Sequence, residues 1–314
     1  MSRPQPNSSS RATKKPVKKG SVNGQRVIGI PELFILIVHE LDAKQQRELM
    51  AVSKYFFRSI GPIAWRKVPR LDILTKLIKN MRVKTTDLGG RADYKWQFII
   101  ELPPRLNLSR YSSRYHIYAP WVQEIELYGG CYQEIKNPEV FLAFLDGRVP
   151  LPNLRKLTTS TSAPVAGDDL IALFNIFICP SMTELRTVMP NQGLPRRDYS
   201  RVISPSVPAF LQKVKDTCPH IEVLEFYTDG PVSFDQRNYD RYSPTTQCRG
   251  ILSSFSSLRS FSSTTYILEF NVLSILGQLP RLESLGIRGG STEHPVVDKG
   301  LSMPEDWFPA LKVL

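Results

Sequence analysis

The sequence contains few cysteines and histidines, and neither residue type is arranged for metal or disulfide chemistry. The four cysteines, Cys131, Cys179, Cys218 and Cys248, are far apart in a chain of 314 residues and form no C-x-x-C pair. Such spacing is typical neither of a zinc site nor of a disulfide framework. None of the four histidines belongs to a metal-binding spacing pattern. We therefore expect no metal ion and no other cofactor. Cys179 and Cys218, each followed by proline, are expected to be buried structural thiols.

The motifs of common enzyme classes are absent from the sequence as well. The chain has no G-x-S-x-G elbow and no nucleophilic cysteine signature. Its glycine pairs, Gly129-Gly130 and Gly289-Gly290, match neither phosphate-binding loop pattern. These absences predict a non-catalytic protein. The alternative is a hydrolase in a degenerate α/β fold, which a bound cofactor or a deep polar pocket would support.

The sequence also lacks long apolar runs and an even distribution of charge. No apolar run approaches the length that spans a bilayer, and the N-terminus lacks the apolar core of a secretory signal. We therefore expect no membrane partner and a location in the cytoplasm, the nucleus or both. Seven of the 41 Lys and Arg residues lie in residues 1–26, which contain no Asp or Glu. These residues are predicted to form a disordered basic tail, and Lys14–Lys19 fits either a nuclear-import signal or a solvated cluster. Because the tail carries seven of the +12 net charges, a nucleic acid is not expected as a partner of the folded part.

The first predicted helix starts near residue 31 and is apolar nearly all round. Pro31 is favoured in the first turn of a helix, and Glu32 suits the positive end of the helix dipole. Leu33, Ile37 and Leu41 recur every four residues, which predicts that they form the buried face. A helix this apolar in a small module needs a second surface to cover it.

Two further short helices are predicted before residue 68. Asp42 is expected to be the N-cap of the second helix, with Gln45 completing a capping box. A third helix is expected to reach Ile60 and to be broken by Gly61-Pro62. A module of about 40 residues is marginally stable without a partner.

Residues 30–68 resemble an F-box, in the form common in fungal proteins. The matching residues are Ile30-Pro31-Glu32-Leu33, Ile37, Leu41-Asp42, Leu49, Val52-Ser53, Phe56 and Trp65-Arg66. Ala43 departs from the usual proline and Gln46-Arg47 from a common leucine pair. The resemblance implies docking on a Skp-family adaptor, which ties the chain to a cullin–RING ubiquitin ligase. The adaptor-binding residues that it implies are Pro31, Leu33, Ile37, Leu41, Leu49, Val52, Phe56 and Trp65.

A second pattern, apolar–Pro–x–apolar–x–x–apolar, recurs seven times in the rest of the chain. The copies begin at residues 119, 151, 179, 218, 255, 279 and 308, and six of the seven keep the proline. Helical patterns lie between several copies, and alternating helices and strands build a parallel sheet flanked by helices. The repeat resembles the irregular leucine-rich repeats that often follow an F-box. Since the last copy ends the sequence, we expect either further repeats or another segment that covers the last strand.

These patterns together predict an α/β protein, with a short three-helix F-box-like module followed by a leucine-rich-repeat-like solenoid of parallel strands and outer helices. The predicted boundaries are a basic tail at 1–26, a helical module at 27–68, a linker or cap at 69–118 and the solenoid at 119–314. Two insertions, 190–206 and 228–247, are predicted to be long surface loops that contribute to binding.

The residues beside the middle apolar residue of each strand are expected to point outward and to contact a protein substrate. The charged members of this set are Glu124, Glu126, Lys156, Glu184, Arg186 and Glu225. The function implied by the resemblance is a substrate-recognition subunit of an SCF-type cullin–RING ubiquitin ligase, with an unidentified protein substrate. The alternatives are a ligase-independent leucine-rich-repeat scaffold, in which the strand faces are merely solvated or bind other proteins, and a nucleic-acid binder that uses the basic tail.

Overall fold

The computed structural model describes ten stretches of the chain, which form two compact units. The described residues are 29–87, 96–103, 114–127, 132–160, 174–188, 206–227, 245–264, 267–268, 272–288 and 304–313. The units are Met1–Ile63 and Ala64–Leu314. The predictions for the basic tail and for most of the two inserted loops lie outside the described residues.

The first unit contains three helices, α1 (Pro31–Glu40), α2 (Ala43–Met50) and α3 (Lys54–Ala64), the last of which reaches the unit boundary. The start of α1 at Pro31 and the capping box of α2 are confirmed. Asp42 Oδ1 accepts hydrogen bonds from the amides of Lys44 and Gln45 at 2.8 Å, and Gln45 Oε1 accepts one from the Asp42 amide at 3.1 Å. The predicted break at Gly61-Pro62 is wrong, because α3 continues through Pro62 to Ala64. Pro62 removes a single amide donor from a helix that ends two residues later.

The buried face of α1 differs from the predicted one. Phe34 and Val38 are buried, whereas Leu33 and Ile37 are exposed. The ring of Phe34 packs against that of Phe56, with centroids 5.2 Å apart. The prediction for Leu33 and Ile37 is therefore wrong for the isolated chain. Because α1 is apolar on almost every side, a spacing of four residues alone could not identify the inward side.

The second unit alternates strands with helices along most of its length. In chain order, its described elements are β1 (Lys67–Val68), α4 (Leu71–Thr75), β2 (Arg82–Asp87), β3 (Trp96–Glu101), β4 (Glu124–Glu126), β5 (Tyr132–Ile135), α5 (Pro138–Leu145), β6 (Lys156–Ser160), β7 (Glu184–Val188), α6 (Val207–Thr217), β8 (Val223–Glu225), α7 (Thr245–Leu252), β9 (Ser260–Thr264), α8 (Leu273–Gly277) and β10 (Ser284–Arg288).

Seven of these strands form one sheet in the order β1-β4-β6-β7-β8-β9-β10. Every neighbouring pair in this sheet is parallel. The predicted mixed α/β class with a parallel sheet is confirmed. Equivalent residues of the repeat stand opposite one another, so that the middle apolar residues form one continuous buried row. This row consists of Val68, Ile125, Leu157, Leu185, Leu224, Phe261 and Leu285.

The repeated apolar–Pro–x–apolar segment forms the same tight turn in all seven copies. The amide of the fourth residue donates to the carbonyl of the first, with N···O distances of 3.0–3.4 Å. Proline suits the second position of such a turn because its φ is already close to the required value. In the first six copies both apolar ends of the turn are buried. The motif therefore ends each connection and aims the chain into the next strand.

The first strand of the sheet, β1, belongs to an additional, shorter copy that the sequence pattern did not reveal, whereas the copy at residue 308 contributes only an isolated bridge between Ser284 and Val313. Trp65 and Val68 occupy the positions of Val122 and Ile125, since β1 pairs in register with β4. The carbonyl of Arg66 accepts amide hydrogen bonds from residues 123 and 124, each at 2.9 Å, as the corresponding carbonyls of later copies do. The first unit thus ends at Ile63, whereas the predicted helical module ended at residue 68.

The region predicted as a linker or cap, residues 69–118, contains regular structure. Strands β2 and β3 pair antiparallel, and β3 pairs parallel with β5 to complete a three-stranded sheet. Lys84 and Lys136 both reach Glu101 Oε1, with N···O distances of 3.0 and 2.9 Å. The Glu101 pKa is lowered by hydrogen bonds from these two ammonium groups, with that of Lys136 the larger cause.

A single apolar core lies behind the seven-stranded sheet. The connecting helices contribute Phe141, Phe210 and Leu211, which are buried with the middle residues of the strands. The rings of Phe210 and Phe226 have centroids 5.4 Å apart, and those of Phe226 and Phe261 are 5.9 Å apart. This packing fixes one face of the sheet against its helices and leaves the charged residues of the other face partly exposed.

Candidate functional site

The first unit exposes an unusual amount of apolar surface. We call this surface the helical face; its side chains are 42–63% exposed and comprise Ile30, Leu33, Ile35, Leu36, Ile37, Val52 and Tyr55. Most of them belong to α1, whose other side is anchored by Phe34 and Val38. Contiguous apolar side chains of this kind mark interaction surfaces in soluble proteins.

The residues implied by the F-box resemblance fall into three groups. Pro31, Leu33, Ile37 and Val52 are exposed. Leu41, Leu49 and Phe56 are half-buried within the same unit. Trp65 belongs to the second unit, where its ring lies 4.4 Å from that of Tyr118 and packs against the core of the sheet. The structure thus brings seven of the eight residues into one unit and gives Trp65 a packing role in the other.

Gln46 holds the end of α1 in place, a role that the sequence alone did not reveal. Its buried Nε2 donates hydrogen bonds to the carbonyl oxygens of Val38 at 2.9 Å and Leu41 at 3.0 Å. These carbonyls lie at the end of α1, where the last acceptors of a helix lack intrahelical partners. The Val38 carbonyl also accepts the Leu41 amide at 3.3 Å. Gln46 departs from the leucine common in F-boxes, and that polar residue beside a helix end was the available signal.

The outward strand face carries a connected set of charges across β6, β7 and β8. Glu184 Oε2 lies 3.4 Å from Lys156 Nζ and 3.1 Å from Arg186 Nε. Arg186 also lies 4.0 Å from Glu225, which accepts a hydrogen bond from the Tyr227 hydroxyl at 2.5 Å. We call these five residues the charged ladder. All four of its predicted members point away from the core, as expected from strand alternation.

The charges on the same strand face also alternate in sign toward β1, at the edge of the sheet. Glu124 stands opposite Lys67 on β1 and Lys156 on β6, and Glu126 stands opposite Thr158. In-register parallel strands place equivalent side chains side by side, so identical charges would repel one another. Alternation therefore stabilises the sheet, whether or not the face also binds a partner.

The strand face becomes small and neutral over its last two strands. Ser260 and Ser262 on β9 stand opposite Ser284 and Gly286 on β10. A Cβ on Gly286 would lie 2.7 Å from Ser262 Oγ, so these two positions do not both accommodate a side chain without a shift. The face consequently changes from charged side chains to nearly bare backbone along the sheet.

The cysteines of the described part of the chain are buried, as predicted for Cys179 and Cys218. The Cys218 thiol donates to the Cys179 carbonyl, and the Cys179 thiol donates to the Leu154 carbonyl, both at 3.4 Å. Burial raises the pKa of Cys218 and of Cys248 to about 12. Such thiols are poor nucleophiles, since the reactive species is the thiolate.

Within the stretches that the structure describes, no group of three His, Cys, Asp or Glu side chains lies close enough to hold a metal ion. Within the same stretches, no helix combines the length and apolar character needed to cross a membrane. No family model and no curated protein matches this chain.

Proposed function

We propose that this protein is a substrate-recognition subunit of an SCF-type cullin–RING ubiquitin ligase. In this proposal the first unit is an F-box-like module that docks on a Skp-family adaptor. The second unit is a leucine-rich-repeat-like solenoid whose outward strand face holds a protein substrate. The observation that carries the proposal is the helical face, because it coincides with residues of the F-box-like pattern.

Energetics favour a partner for the helical face. Removing one large apolar side chain from water contributes about 1.5–3 kcal/mol, before the costs of association. Leu33, Leu36 and Ile37 alone therefore offer several kcal/mol to a partner with an apolar groove. The ubiquitin context itself comes from the resemblance of Ile30–Phe56 to an F-box.

The adaptor proposal is tested by placing charge on the helical face. Leu33→Glu combined with Ile37→Glu in the full chain should weaken binding to a purified Skp-family adaptor by about 100-fold or more, because two carboxylates would have to lose water. Both residues are already exposed, so the fold should be retained. Calorimetric titration measures the affinity, and circular dichroism checks the helices.

A matched control uses two apolar residues of similar exposure in the second unit. Leu142→Glu combined with Val149→Glu adds the same charge at sites that are 49% and 41% exposed. This variant should bind the adaptor like the wild type. Equal adaptor binding by the Leu33/Ile37 variant and the wild type would remove the F-box assignment, and so would an absence of adaptor binding by the wild type.

A test of substrate binding by the strand face needs a variant that changes its charges but keeps its ion pairs. Reversing Lys67, Glu124, Lys156, Glu184, Arg186 and Glu225 together (K67E, E124K, K156E, E184K, R186E, E225K) preserves the ion pairs of the ladder and the alternation of charge across β1, β4 and β6, while inverting the pattern presented to a partner. Substrate capture should fall while adaptor binding stays near the wild type, and the thermal midpoint should fall only by the loss of the Tyr227–Glu225 hydrogen bond. Retained capture would leave the ladder with a structural role alone.

The second candidate function is a ligase-independent protein-binding scaffold. The observation that favours it is the strand face, whose alternating charges and neutral strip are independent of the helical face. Binding of proteins through the second unit without any binding of the adaptor would support the scaffold.

A further inference from the structure

A polar cleft of about 600 Å³ lies at the amino-terminal edge of β8, β9 and β10. Its wall is formed by residues that come just before these strands, and its ionisable members are His220, Glu222, Arg259, Arg281 and Glu283. Glu222, Arg259 and Glu283 immediately precede the strand-face residues at 223, 260 and 284. The cleft residues are thus next in sequence to the neutral end of the outward strand face.

One carboxylate of the cleft is already neutralised by its neighbours. Glu283 Oε1 accepts hydrogen bonds from Arg259 Nε at 2.9 Å and Nη2 at 2.7 Å, and Oε2 accepts one from Lys312 Nζ at 3.0 Å. These bonds, with that from Lys312 the larger cause, lower the Glu283 pKa. They also fix the plane of the Arg259 guanidinium, whose Nη1 makes no hydrogen bond to a described residue. An arginine held in this way presents its remaining donors at little cost in side-chain entropy.

The remaining ionisable residues of the cleft form no direct ion pair within the described stretches. The charge of Glu222 nevertheless acts on Arg259 and contributes to the raised Arg259 pKa, after the larger effect of Glu283. Arg281 and His220 are exposed beside them. Arg259, Arg281 and Lys312 carry three positive charges in or beside the cleft, and Glu222 and Glu283 carry two negative charges. One positive charge is therefore in excess. Two carboxylates in or beside the same wall disfavour a doubly charged ligand.

We propose that the cleft binds one carboxylate, from an Asp or Glu side chain of an extended protein segment that also crosses the neutral end of the strand face. Arg281 and the free Nη1 of Arg259 supply the donors, in the geometry that guanidinium groups offer to carboxylates. A single negative charge matches the excess of one positive charge. This inference rests on the proposed function in so far as the segment belongs to the substrate.

The probe for this proposal is a random peptide library displayed on phage and selected against the full-length protein. Selected peptides should be enriched in Asp or Glu, and the best of them should be synthesised for titration. R281Q should weaken its binding about three- to fivefold, as for one partly exposed ion pair. E222Q should strengthen binding, because it removes from the wall a negative charge that acts on Arg259 and would repel a bound carboxylate. The difference in peptide affinity between the wild type and R281Q should shrink as the salt concentration is raised.

The control is R249Q, which removes the same charge from an exposed position on α7 outside the cleft. It should bind the selected peptide like the wild type. Selection without acidic enrichment, or equal affinities of the wild type and R281Q, would overturn the proposal. Tighter binding after the acidic residue is replaced by phosphoserine would also overturn it. Adaptor binding by R281Q, measured in parallel, reports on the proposed ligase role separately, because Arg281 lies in the other unit.

Discussion

At the scale of single residues, the side chain of Gln46 ends α1 by donating to two carbonyls. Gln46→Met keeps the approximate shape but removes both donors. The Val38 carbonyl would then keep only the Leu41 amide, and the partly buried Leu41 carbonyl would lose this donor. We expect a loss of about 1–2 kcal/mol in local stability, the range for unpaired buried polar groups. Amide hydrogen exchange of α1 should become roughly 5- to 30-fold faster, since 1.4 kcal/mol corresponds to a factor of ten.

Arg47→Met is the matched control for this change. It places the same side chain one position along α2, where the residue is exposed. The exchange rates of α1 should then stay at the wild-type values. Similar rates in the two variants would show that Gln46 does not act through its hydrogen bonds.

The buried thiols predict a loss of stability at alkaline pH. Burial raises the pKa of Cys218 and Cys248 to about 12 from an ordinary value of 9.0. The folded state therefore holds these protons more tightly than the unfolded state does. The corresponding stability is complete below pH 9 and is lost as the pH rises toward 12. Urea midpoints measured from pH 8 to 11 should fall less steeply in the C218A/C248A variant than in the wild type, and parallel curves would contradict the assignment.

At the scale of elements, two helical glycines predict opposite responses to alanine. Gly250 on α7 has no atom within 4 Å of an added Cβ, so Gly250→Ala should stabilise the protein by about 0.5–1 kcal/mol. An added Cβ on Gly277 would lie 2.9 Å from ring atoms of Trp307. Gly277→Ala should therefore destabilise by about 1–3 kcal/mol, the usual range for overpacking.

Thermal unfolding of the full chain distinguishes the two variants. Gly250→Ala should raise the midpoint, whereas Gly277→Ala should lower it. Combining Gly277→Ala with Trp307→Leu should restore part of the lost thermal stability, since the smaller leucine side chain leaves room for the alanine methyl group. A midpoint unchanged by Gly277→Ala would mean that Trp307 does not pack on α8 as described.

At the scale of the whole molecule, the division at Ile63 predicts two levels of stability. The small helical unit has little core, whereas the sheet unit shares one core across its strands and helices. In the free protein, amides of α1 to α3 should exchange faster than those of β6 to β9. Adding a Skp-family adaptor should slow exchange in α1 and leave β6 to β9 unchanged. Slower exchange confined to the sheet would place the adaptor contact elsewhere.

Much of the repeat architecture was predictable because its physics is local. The turn needs proline or a small residue between two apolar ends, and Leu154 and Leu157 illustrate how the fourth and seventh positions then point into the core. The outward direction of Glu184 and Arg186 follows from strand alternation alone. The copy at Trp65 was missed because Ile63 replaces the proline and the next copy follows at a much longer distance.

Features that depend on contacts between distant segments could be identified only from the structure. The choice between Leu33 and Phe34 as the inward residue depended on where Phe56 packs, and the cap at Gln46 depended on where α1 ends. The cleft combines residues that precede β8, β9 and β10, and these segments are far apart in the chain. By itself the sequence determined the repeated apolar–Pro segments, the parallel strands and the outward charges, since these depend on neighbouring residues and a repeated spacing. The tertiary structure decided which apolar face stays exposed and which charges share a cleft, because burial and ion pairing depend on contacts between segments.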